Sequence, residues 1–144
     1  MVIRFSIEGD EQLIRKFRGV EIKGKDWKGT FKKIGNDLTK VFSGPVFETR
    51  GREIGEPWKP RKISQPWPLL QRTGRMRKGF KFNAKRTSLE VYNITKYFKY
   101  HQSKDPRRRL PRRIMMKLDE KRKTNIMKRF HQDLIKKIYP RKLW

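Results

Sequence analysis

At 144 residues the chain has the size of one domain, and an aromatic content of 12%, with four tryptophans and nine phenylalanines, supports a folded core despite a charged fraction of 38%. The absence of cysteine excludes disulfides and thiolate metal sites. A net charge of +26, concentrated in the C-terminal two-thirds, opposes a compact monomer by self-repulsion and favours a counter-charged partner, of which nucleic acid is only one kind.

No apolar run approaches the roughly 20 residues that span a bilayer, and the N-terminus alternates instead of forming a signal-peptide core. A soluble product made in the cytoplasm, without a membrane partner, is therefore expected. In chain order, Ile3, Phe5 and Ile7 alternate with Arg4, Ser6 and Glu8 in the period of a half-buried strand that Gly9-Asp10 should end. A short helix carrying Leu13, Ile14 and Phe17 follows.

From Asp26 the spacing of Trp27, Phe31, Ile34, Leu38, Val41 and Phe42 predicts an amphipathic helix over residues 26–43, with Asp26 as N-cap and Gly44-Pro45 as its stop. Lys28, Lys32, Lys33 and Lys40 form its solvated back. Residues 48–67, with three prolines and two glycines, predict a long loop. Trp58 and Trp67 within it are either anchors in the chain's own core or contacts to a neighbouring subunit.

Leu69, Leu70, Met76 and Phe80 suggest a short helix interrupted at Thr73-Gly74. Phe80 and Phe82, then Leu89 and Val91, predict a hairpin turning through residues 83–87. Tyr97, Tyr100 and His101 form an aromatic segment compatible with one helical turn. Residues 103–111 should be exposed, and residues 110–118 could return to the sheet through Ile114, Met115 and Met116. A second amphipathic helix over residues 119–138 carries Ile126, Met127, Phe130, Leu134 and Ile138 on one face, with Asp119 and Glu120 in its first turn, where the helix dipole favours them. His131 borders that face as a packing residue. Residues 139–144 should form an arm whose Trp144 docks on another subunit. The expected fold class is α+β, a small antiparallel sheet flanked by the two main helices, with residues 1–138 as a single domain.

Catalytic patterns are missing from the sequence. His101 and His131 are the only histidines, and there is no phosphate loop, nucleophile elbow or paired-carboxylate pattern, so neither an enzyme nor a cofactor or metal site is expected. Six of the ten residues 104–113 are basic, beside Tyr97 and Tyr100. Such a segment suits phosphate contacts with base stacking, through Lys104, Arg107, Arg108, Arg109, Tyr97 and Tyr100. It equally suits a solvated loop or an acidic protein surface.

The order of Trp58-Lys59-Pro60, Leu69-Leu70-Gln71-Arg72-Thr73-Gly74-Arg75-Met76-Arg77, a hairpin, Tyr97-Phe98-Lys99-Tyr100-His101-Gln102 and Leu110-Pro111-Arg112-Arg113-Ile114-Met115-Met116-Lys117-Leu118 before a terminal helix resembles the Mu-like phage virion morphogenesis, or tail completion, family. The resemblance covers roughly residues 27–138. It implies a structural protein that completes the tail or joins it to the head as a subunit of a homo-oligomeric ring, commonly a hexamer. The implied partners are copies of itself and tail-tube or head-connector proteins, in proximity to phage DNA. The implied location is the tail or neck of the virion, and the host cytoplasm during assembly. Candidate subunit or partner contacts are Trp58, Trp67, Arg107, Arg108, Arg109, Arg112, Arg113 and Trp144. The alternative is a basic nucleic-acid-binding protein using residues 104–113.

Overall fold

A computed structural model describes residues 27–86, 88–102 and 111–138. The expected strand at residues 3–7, the helix at 10–17, the Asp26 cap and the 139–144 arm lie outside them.

The apolar stripe of the first long helix, α1 (Lys28–Ser43), buries Phe31, Ile34, Leu38 and Phe42. The position preceding its first helical residue is Trp27, which has no side-chain capping bond and instead rests edge-on against Phe130 at 5.5 Å. Gly44 and Pro45 end α1 as expected, but Pro45 also opens a short helix, α2 (Pro45–Glu48). Proline suits a first helical position, where its fixed φ is helical and its missing N–H would have had no partner. Val46 and Phe47 of α2 are buried.

The stretch expected as a loop therefore begins one residue later than predicted and is punctuated. A 3-10 turn (Arg52–Ile54) lies between Gly51 and Gly55, at φ +82° and +71°, a region that glycine enters without the Cβ penalty. Gly51 also sits against the Trp58 indole, leaving no room for a side chain. Beyond Trp58 the backbone stays irregular until a single helical turn, α3 (Arg75–Lys78), which follows Thr73-Gly74.

The hairpin joins β1 (Phe80–Ala84) to β2 (Leu89–Asn93), antiparallel, with Phe80 opposite Asn93 and Phe82 opposite Val91. Asn83 and Ala84, expected in the turn, remain in β1, and Lys85 N–H donates to Ser88 O at 2.8 Å to close the shorter connection. Next comes α4 (Phe98–Gln102), the helical turn expected around Tyr97 to His101.

Residues 111–119 correct a prediction. They form no strand, and the sheet among the described residues has two strands only. The segment runs as irregular chain into α5 (Glu120–Ile138), which buries Ile126, Phe130 and Leu134 but leaves Met127, assigned to the apolar face, 36% exposed. His131, expected to pack, is exposed as well.

These elements form an α+β arrangement in which α1 is central. One side of α1 meets the hairpin closely because Gly35 has no side chain to hold off the Phe82 ring. The other meets α5, where Phe31 and Phe130 pack edge to face at 5.4 Å. Phe80 is the aromatic hub of the core, lying 5.9 Å from Phe42, 6.2 Å from Phe47 and 5.7 Å from Phe98.

Candidate functional site

The irregular chain at residues 111–119 is held by side chains from the two other aromatic segments. Trp58 is 7% exposed, packs edge-on to Phe47 at 5.2 Å and donates its indole N–H to Ile114 O at 2.8 Å. Gln102, at the end of α4, accepts from the amides of Met115 and Met116 at 2.9 and 3.3 Å and donates to Met116 O at 2.7 Å. A primary amide can satisfy buried donors and acceptors together, and here it replaces the neighbouring strand that these residues lack. Trp58 is thereby an anchor in the chain's own core.

Arg113 was expected in an exposed basic segment and is instead 6% exposed. Its Nε donates to Lys59 O at 3.0 Å, its Nη2 reaches Pro60 O at 3.5 Å, and its backbone N–H donates to His101 O at 3.0 Å. Burial lowers its affinity for a proton, and the nearby Arg61 charge lowers it further. No carboxylate among the described residues pairs with it. Arg112 is exposed, whereas Lys104, Arg107, Arg108, Arg109 and Trp144 lie outside the described residues.

Trp67 is half-buried, with the Arg72 guanidinium stacked over its ring at 5.0 Å. Tyr97 and Tyr100 are exposed, and Lys99 Nζ lies 5.2 Å from the Tyr100 ring centre. Trp67, Tyr97 and Arg113, which the sequence separates, line one cleft of about 390 Å³ together with Arg61, Arg72 and His101. Sequence reasoning missed Arg61 and Arg72, since neither belongs to the basic run. The Arg72 ring contact could have been suspected only from the Trp67-Pro68-Leu69-Leu70 turn, in which Leu70 takes φ +61°.

Elsewhere, several acids of the described residues are engaged. Arg122, 7% exposed, joins Glu53 at 2.6 Å and Asp119 at 2.8 Å, Arg129 reaches Asp37 at 2.8 Å, and Lys117 pairs with Glu56. Arg77 ties three segments together by donating to Ser43 O at 2.6 Å, Gln71 Oε1 at 2.9 Å and Glu48 Oε1 at 3.3 Å.

Among the described residues no group of three histidines or carboxylates could hold a metal ion, and no helix is long and apolar enough to cross a membrane. The chemistry that the arrangement offers is recognition: guanidinium forks for anions and aromatic faces for flat or apolar groups. Comparisons of the chain with protein-family models, with curated proteins and with solved structures found no match.

Proposed function

We propose that this chain is a non-catalytic phage assembly protein that completes the tail or joins tail to head, acting as a ring subunit through protein–protein contacts. The observation that supports the reading is the joint at Trp58, Gln102 and Ile114 to Met116. The segments on which the family resemblance rests lie far apart in sequence, yet they hydrogen-bond to one another and close one core. A shared order of short motifs gains weight when the motifs form a single structural unit.

The surface suits such a subunit. Ile63 on the loop is 74% exposed and Ile94 after β2 is 62% exposed, apolar side chains available to a neighbouring copy or to a tail or neck protein. The positive field would speed docking on an acidic partner surface. The place of action on this reading is the tail or neck of a virion.

Sedimentation velocity of the purified protein tests the reading. A ring subunit gives a discrete oligomer several times the 17.6 kDa chain mass, alone or once tail-tube or neck proteins are added, and Ile63→Asp lowers its population. A 17.6 kDa species that stays monomeric with and without those proteins contradicts it.

A further inference from the structure

The cleft between the Trp67 loop and α4 combines two features that the assembly reading does not require. Arg61 and Arg72 of the irregular stretch before α3 converge there with Arg113 of the chain leading into α5, and no carboxylate among the described residues lines the cleft. Arg113 is more than nine-tenths buried, and its partners are carbonyl oxygens, which offset part of its desolvation without neutralising its charge. A buried cation beside a second cation is relieved by an incoming anion. Burial and the Arg61 charge both already push Arg113 toward losing its proton, the sign of an uncompensated positive site.

The positive lining also continues beyond the cleft. A neighbouring groove shares Thr73 and Tyr97 with it, carries Arg75, Lys78 and Lys96, and again has no carboxylate among the described residues. Cations spaced along a track match the repeating charge of a phosphodiester backbone better than they match a single acidic side chain. Tyr97, 41% exposed, stands where the two clefts meet, an aromatic side chain of the kind on which bases stack. Arg72 already covers one face of Trp67, and a stacked guanidinium keeps its N–H edge available to phosphate oxygens.

We propose that this pair of clefts binds single-stranded nucleic acid, with backbone phosphates on Arg61, Arg72 and Arg113 and an unpaired base stacked on Tyr97. Duplex bases are stacked within the helix and cannot reach such a platform, which selects for the single strand. The proposal does not depend on the assembly function, and a monomeric protein could bind in the same way.

The test is fluorescence anisotropy with a fluorescein-labelled oligothymidylate over a salt series. It compares the full chain with Arg61→Gln/Arg72→Gln, with Tyr97→Ala, and with Lys32→Gln/Lys33→Gln, which removes the same charge from the exposed back of α1. Tyr97→Ala should weaken binding roughly ten-fold with little change in the salt slope, as expected for one lost base stack. The double arginine variant should lower the slope by about 1.4, two single-strand phosphate contacts, while the α1 control stays within about two-fold of the parent. Should the double variant fail to fold, Arg61→Gln alone and Tyr97→Ala decide the matter. Equal losses in the cleft pair and the α1 pair, or full binding by Tyr97→Ala, would overturn the proposal in favour of charge alone. Displacement of the oligonucleotide by polyglutamate at equal charge concentration would overturn it in favour of an acidic protein partner.

Discussion

The indole Nε1 of Trp58 donates to the carbonyl oxygen of Ile114 at 2.8 Å, across 56 residues of sequence. This bond fastens the loop after the 3-10 turn to the chain that leads into α5, and Gly51 allows it by leaving room beside the indole. Trp58→Phe keeps most of the buried ring but leaves Ile114 O unsatisfied, so it should cost about 1–3 kcal/mol. Trp58→Ala should cost about 3–5 kcal/mol because it also opens a cavity beside Phe47. Urea unfolding followed by far-UV circular dichroism measures both, and equal losses for the two variants would mean that the ring's packing contributes little.

Gln102 should matter out of proportion to its size. Its amide serves three backbone groups of Met115 and Met116, and Gln102→Ala strips all three partners together. A loss of about 2–4 kcal/mol is expected for buried backbone groups left unpaired. Hydrogen exchange at the Met115 and Met116 amides should accelerate relative to amides within the hairpin. Unchanged exchange at both would show that the Gln102 bonds do not hold this segment.

The two long helices and the hairpin were readable because each repeats an apolar spacing, and that spacing survives in α1, in α5 and in the Phe80 to Val91 pairs. Over residues 111–118, Ile114, Met115 and Met116 look like a strand locally, but the chain there is irregular. What organises them is the Gln102 amide and the Trp58 indole, partners that no local pattern announces. Arg113 was misjudged for the same reason. A run of arginines reads as solvated, and only the returning loop supplies the Lys59 and Pro60 carbonyls that bury it. The cleft joins Arg61 and Arg72 of the stretch before α3 to Arg113 of the chain leading into α5, so its composition could not be read from either alone.

The Arg122 cluster predicts an acid-sensitive stability. Burial on its own would raise the Asp119 carboxyl, but the hydrogen bonds and charge of Arg122 outweigh it and hold Asp119 below the usual carboxylate range. Burial likewise disfavours charged Arg122, and its bonds to Asp119 and Glu53 more than restore it, so Arg122 stays protonated throughout the acid range. Because Asp119 is more acidic folded than unfolded, its contribution is complete above the unfolded value of about 4 and is lost as pH falls through the folded value. The urea midpoint of the parent should therefore fall more steeply below about pH 4 than that of Asp119→Asn. Parallel curves would remove Asp119 from the account.

Gly35 sets the distance between α1 and the hairpin. A Cβ there would lie 2.5 Å from Phe82 Cδ2, so Gly35→Ala should destabilise by about 1–3 kcal/mol through overpacking. That loss would outweigh the gain of roughly 1 kcal/mol that alanine brings to a helix interior. Gly35→Ala/Phe82→Leu should recover part of the loss in thermal unfolding, and a stabilised Gly35→Ala single variant would show that the contact is looser than described.

The proposed assembly role is tested most directly by negative-stain electron microscopy of the protein mixed with tail tubes lacking their terminal proteins. The account predicts closed rings seated at tube ends, absent when the protein is omitted and reduced with Ile63→Asp. Bare tube ends beside monomeric protein, at salt low enough to keep any charge attraction, would contradict it.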